Sequence, residues 1–126
     1  MPIDERIRVM VVDDQPDVRF LVRVILGDHA DLEVVAEAAT AAEALERVAA
    51  AGPHVVTVDA RMPIVDGFEL TRALLARHPA LRVALLTTVV DADVAAAAAA
   101  AGAAACVSKD DFDALPAIVR RLGTTG

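Results

Sequence analysis

The stretch IRVMVVDDQPD, residues 7–17, decides how the rest of the chain is read. Ile7 to Val12 form an apolar run rich in β-branched side chains, the way a strand buried on both faces of a parallel sheet is written. The run stops at two adjacent acids, Asp13 and Asp14. Pro16 follows where the first turn of a helix tolerates it. Adjacent carboxylates repel, so their place at the end of a buried strand calls for a positive species nearby.

Working outward, the same alternation repeats. Apolar runs at 32–38 (LEVVAEA), 54–58 (HVVTV), 82–86 (RVALL) and 104–107 (AACV) read as four more strands. Helical patterns fill 15–27, 40–51, 66–77, 91–101 and 113–122. Thr40 with Glu43 three residues later is a capping box, Gly102 closes the fourth helix, and Asp113 is read as the N-cap of the fifth, with Pro116 at its third position. Five strand–helix units imply parallel strands joined by right-handed crossovers, with helices on both faces. The expected fold is therefore α/β, a flavodoxin-like (βα)5 doubly wound parallel sheet with strand order 2-1-3-4-5. One domain spans 1–126, and 123–126 read as a tail or the start of a linker.

Composition narrows the function. The 126 residues are 56% hydrophobic and 25% charged, enough for a core and unlike a disordered chain. Phe20, Phe68 and Phe112 are the only aromatics, which excludes a stacking platform for single-stranded nucleic acid. A net charge of −7 repels phosphate backbones, so neither direct nucleic-acid binding nor contact with an anionic membrane is expected. Cys106 stands alone and can form no intrachain disulfide. The N-terminus lacks the basic and apolar regions of a signal peptide, and the alanine-rich run 94–107 is too short to span a bilayer. The expected location is cytoplasmic. Of twelve basic residues, eleven are arginine and one is lysine, Lys109.

The polar residues at strand ends form a pattern. Strand one ends in Asp13–Asp14, strand three in Asp59, strand four in Thr87–Thr88, and strand five in Ser108–Lys109. In a parallel sheet these ends share one edge, and ligands bind there where strand order reverses, between strands one and three. Three converging carboxylates either share a proton or surround a hard cation, and an all-oxygen donor set without His or Cys suits Mg²⁺. His29, His54 and His78 fall before strands, at the opposite edge. Taken singly, each feature has a plainer explanation: a turn and helix cap for the acid pair, a turn for Asp59, a β-branched strand residue for Thr87, a solvated charge for Lys109. Taken together, four polar choices on one edge, with the sole lysine among them, favour a ligand site.

The segments VVDDQP (11–16), VDARMPIVDG (58–67), LLTT (85–88) and AGAAACVSKD (101–110), and their spacing, resemble the receiver domain of two-component response regulators over essentially the whole chain. The wording of VDARMP and SKD looks most like members that carry a helix-turn-helix DNA-binding domain. The resemblance implies that Asp59 is the phosphoacceptor for a sensor histidine kinase. It implies that Asp13, Asp14, Asp59 and the backbone carbonyl of Arg61 hold Mg²⁺, that Lys109 pairs with the phosphoryl oxygens, and that Thr87 is the switch hydroxyl. It further implies an output surface on the fourth helix, fifth strand and fifth helix that can support a homodimer, and control of transcription. Such a protein is a switch and not a turnover enzyme.

Two positions depart from the family pattern. Cys106 stands where an aromatic residue is usual, which puts the coupling from Thr87 to the surface in doubt. Thr88 is bulkier than the usual Ala or Gly. Pro63 is expected to shape the loop over the site, Gly67 to permit close packing or an unusual backbone angle, and Asp66 to cap a helix. Two rivals stand beside the switch: a receiver acting as a phosphorylation-independent interaction module, and a metal-dependent aspartyl phosphohydrolase. The second fits less well, because such enzymes resemble DxDx(T/V) at the first strand.

Overall fold

The computed structural model describes residues 6–124. Five parallel strands, β1 (Ile7–Val12), β2 (Leu32–Ala38), β3 (Val55–Asp59), β4 (Arg82–Thr87) and β5 (Ala105–Ser108), form one sheet in the order β2-β1-β3-β4-β5. The helices are α1 (Pro16–Gly27), α2 (Ala41–Ala51), α3 (Gly67–Arg77), α4 (Ala92–Ala101) and α5 (Leu115–Thr124). The expected fold class and strand order are those observed.

Alternation along the strands divides the core in two. Val9, Val11, Val55 and Leu86 pack toward Val22 and Leu26 of α1 and Leu115 and Val119 of α5. Met10, Val12, Val56, Val58 and Leu85 pack toward Ala44 of α2, Leu70 and Leu74 of α3, and Ala98 of α4. Central strands β1, β3 and β4 are buried almost throughout, because helices cover both faces. The edge strand β2 is buried only at its ends, and a register shift against β1 falls between Val9 and Met10.

Helix starts follow local chemistry. Thr40 Oγ1 accepts from the Glu43 amide at 3.1 Å, and the Glu43 carboxylate returns to the Ala39 amide at 2.7 Å, one residue before the cap. Asp66 and Asp91 cap α3 and α4 by accepting from the Glu69 and Val94 amides, each at 2.9 Å, with no returning carboxylate among the described residues. The fifth helix corrects the sequence expectation. A 3-10 turn, Phe112–Ala114, precedes α5, so Asp113 lies inside that turn and caps nothing, and Pro116 is the second residue of α5. The buried side chains of Leu115 and Pro116, rather than an acid cap, fix where the helix begins. Helix α5 continues through Gly123 and Thr124, so the first two residues of the expected tail are helical, and 125–126 lie outside the described residues.

Candidate functional site

Register brings the acids together. Val12 of β1 stands opposite Val58 of β3, so Asp13 and Asp59 come next on adjacent strands, and Asp59 pairs with Leu86 of β4. Oxygens of Asp13, Asp14 and Asp59 all lie within 4.8 Å of one another. Asp13 and Asp59 are buried, 1% and 4% exposed, while Asp14 is half-buried. Lys109 arrives at the same edge from beyond the end of β5, across β4 from Asp59. Its amide donates to the Thr87 carbonyl at 2.8 Å, continuing the β4–β5 ladder. Its Nζ then reaches Asp13 Oδ2 at 3.1 Å and Asp59 Oδ1 at 3.2 Å.

Backbone donors fix the carboxylates further. Asp13 Oδ1 accepts from the Gln15 amide at 2.9 Å, and Asp59 Oδ1 accepts from the Arg61 amide at 3.1 Å. Arg19 of α1 donates to the Asp13 carbonyl at 2.6 Å, which ties the helix to the strand end. Gly67 is required for closeness alone: a Cβ there would lie 2.2 Å from the Asp59 carbonyl oxygen. The Gly67 amide bonds the Ala60 carbonyl at 3.1 Å, so α3 starts directly against the strand that carries Asp59.

The electrostatics are those of a crowded anionic edge. Burial pushes the Asp59 carboxyl above the usual carboxylate range, and the neighbouring Asp13 charge adds to this; the Arg61 amide and the Lys109 ammonium act against it. Burial alone would lower the Lys109 ammonium, but the hydrogen bond and charge of Asp13, with the charge of Asp59, outweigh it and hold Lys109 above its ordinary value. One ammonium among three carboxylates leaves negative charge uncompensated. The donor set is all oxygen, which fits a hard divalent cation such as Mg²⁺. No described donor bonds the Arg61 carbonyl, which leaves it free to join such a set.

Thr87, at the end of β4, is buried, and its hydroxyl is engaged by its own loop. Oγ1 donates to the Val89 carbonyl at 3.2 Å and accepts from the Val89 amide at 3.3 Å. Thr88, Val89 and Val90 are exposed. The sequence reading overlooked Val89, because an apolar residue beyond a strand carries no sign that it partners a hydroxyl. It also overlooked Ile64. That side chain is fully exposed at φ 72°, in a three-residue turn closed by the Val65 amide on the Pro63 carbonyl at 2.8 Å. A β-branched residue in that conformation is strained, and no composition rule would place it there. Cys106 is partly buried against the α2–α3–α4 side, and burial raises its thiol above the ordinary value, which suits packing rather than reactivity. The three histidines lie at the far edge: His54 Nδ1 accepts from the Arg8 amide at 3.0 Å, and His29 contacts Arg120.

A doubly wound sheet whose reversal point is lined by acids and a lysine defines a class of α/β domain built to handle a charged ligand at its carboxyl edge. The sequence profile of the response regulator receiver domain matches residues 9–120, and the chain belongs to that family. Among individual proteins, the DNA-binding transcriptional activator DevR/DosR of Mycobacterium tuberculosis is 45% identical over 82 residues, 65% of this chain and 38% of that one. A protein-glutamate methylesterase/protein-glutamine glutaminase of Geobacillus kaustophilus is 38% identical over 85 residues, 68% of this chain and 24% of that one. The chain thus spans well under half the length of these curated relatives. The solved signal receiver domain of response regulator NarL from Mycobacterium tuberculosis superposes with a TM-score of 0.90 at 31% identity, covering 97% of this chain and 99% of that one.

Proposed function

We propose that the chain is a phosphorylation-dependent switch of a two-component system, accepting a phosphoryl group on Asp59 from a phosphohistidine of a sensor histidine kinase. One observation carries the reading: Lys109 Nζ bridges Asp13 and Asp59, at 3.1 and 3.2 Å, on an edge where three carboxylates gather. Asp59 Oδ1 is held by Lys109 and the Arg61 amide, which leaves Oδ2 as the nucleophile. Oδ2 attacks phosphorus, an O–P bond forms, the P–N bond breaks, and the imidazole nitrogen keeps the electron pair and takes a proton. Phosphoryl transfer depends chiefly on alignment and on neutralising charge over the equatorial oxygens. Lys109 meets that need with a compact point charge that a guanidinium fork would not reproduce. Asp13, Asp14, Asp59 and the Arg61 carbonyl are the groups that would hold Mg²⁺, which when bound supplies the remaining neutralisation.

The product carries a charge near −2 and new acceptor oxygens. Thr87 then gives up its bonds to Val89 for a phosphoryl oxygen, and the 88–90 loop and α4 follow. Output is a changed surface on α4, β5 and α5, able to support a homodimer and, with a DNA-binding domain, to control transcription in the cytoplasm. The chain is on this reading a switch rather than a turnover enzyme. Cys106, lacking the aromatic that would track Thr87, favours a second reading in which the domain signals by binding alone. The test is incubation with acetyl phosphate and Mg²⁺ followed by intact-mass analysis. The wild type gains one phosphoryl group and Asp59→Asn gains none. Labelling retained in the variant would show that another residue is the acceptor, and an unlabelled wild type would favour the binding module.

A further inference from the structure

At the opposite edge of the sheet, a groove of about 580 Å³ opens between the C-terminal ends of α2, α3 and α5. Asp59 lies five residues along β3 from His54 at its rim, about 17 Å at strand rise. Its thirteen lining residues include Arg77, Arg82, His54 and His78 and no carboxylate, in a chain where acids outnumber bases 19 to 12. The floor is aliphatic: Val48, Pro53, Leu81 and Leu122 are buried there.

Among the described residues, no carboxylate compensates the positive charge of the groove. Five other arginines (Arg6, Arg19, Arg23, Arg47 and Arg120) are each paired with a carboxylate. Arg77 has no such partner among the described residues. Among the described residues, the Arg82 guanidinium donates only to the Ala80 and Leu81 carbonyls, at 3.2 and 3.5 Å. Arg8 donates from Nε to the Gly52 carbonyl at 2.8 Å, placing beside the groove wall a third guanidinium without a carboxylate partner among the described residues. Because His54 Nδ1 accepts the Arg8 amide, the neutral ring carries its proton on Nε2, which is a donor. Burial lowers the His54 pKa, and the Arg8 charge adds to this. An aliphatic floor with a few polar donors among its lining residues, at this volume, is the make-up of a small-molecule site.

We propose that this groove binds a small organic anion, with its aliphatic body on Pro53 and Leu81 and its phosphate or carboxylate head between Arg77, Arg82 and His54. The site is independent of the acid cluster and needs no metal. Hexyl phosphate and hexanoate are the probes, titrated into the ¹⁵N-labelled chain without Mg²⁺, with hexyl glucoside as the neutral counterpart. Expected is a saturable shift of the Gly52 and Gly123 amides with either anion, and none at Ala60 beside Asp59; the tighter head group names the ligand class. Arg77→Gln combined with Arg82→Gln should weaken binding at least tenfold and leave Asp59 labelling unchanged. Raising NaCl from 50 to 300 mM should weaken wild-type binding, a check that does not depend on the variant. The proposal is overturned if neither anion gives a saturable shift, if hexyl glucoside binds as well, or if the double variant binds unchanged.

Discussion

At the scale of single residues, two side chains, buried Thr57 and exposed His54, carry consequences beyond the acid cluster. Thr57, in the centre of β3, is 0% exposed and its hydroxyl has no hydrogen-bond partner. A buried unsatisfied polar group costs about 1–3 kcal/mol, and valine has nearly the same shape. Thr57→Val is therefore expected to raise stability by about 1 kcal/mol, read from the urea midpoint at unchanged m-value; a loss would mean that the hydroxyl has a partner. His54 gives a pH dependence. Its folded pKa lies below the unfolded value of 6.5, so the unfolded chain binds more protons in that range. The stabilisation is present above pH 6.5 and is lost as pH falls from 6.5 through the folded value. Between pH 7.5 and 5.5 the wild type should lose more thermal stability than His54→Asn, whose amide oxygen can still accept the Arg8 amide. Parallel curves would remove His54 as the cause. Neither behaviour was legible beforehand, since residue type shows neither a missing partner nor a ring nitrogen's neighbour.

At the scale of elements, the joint between β3 and α3 is closely packed at Gly67. A side chain at Gly67 would meet the backbone of Asp59 and Ala60, at 2.2 and 2.7 Å, and backbone cannot swing aside as a flexible side chain would. Gly67→Ala should cost about 1–3 kcal/mol and, on the proposed function, also slow acetyl phosphate labelling, because the strain lands on Asp59, the proposed acceptor. Full labelling with normal stability would show that α3 can retreat freely. The sequence announced a helix start here through Asp66 and Gly67, and it placed the other helix starts within a residue or two. It failed at the fifth helix, where Asp113 looked like a cap. Burial of Leu115 and Pro116 against the sheet set that boundary instead, and tertiary packing of this kind outweighs a local capping preference. Helix α4 was readable as helix from its alanines, but only the fold shows Ala98 and Ala101 buried and its neighbouring alanines outward.

At the scale of the whole molecule, three carboxylates gather at the carboxyl edge of the sheet, and Arg8, Arg77 and Arg82, without a carboxylate partner among the described residues, border the groove at the amino edge. Gathering carboxylates destabilises the empty site, so a divalent cation that binds only the folded state should stabilise the protein, by about 2.7 kcal/mol at a hundredfold excess over Kd. Saturating Mg²⁺ is expected to raise the wild-type melting temperature and to raise that of Asp14→Asn much less; an unchanged wild type would argue against the cation site. Alternating strand and helix periods, Asp13, Asp14, Asp59, Thr87 and Lys109 at strand ends, and the resulting strand order were all determined by the linear sequence, because hydrophobic period and the right-handed crossover leave few topologies open. The reach of Lys109 across the end of β4 to two carboxylates, the hold of Thr87 on Val89, the strained turn at Ile64 and the cationic groove were decided only by the tertiary structure. Each depends on distances between residues far apart in the chain or on a backbone angle, and no local propensity encodes either.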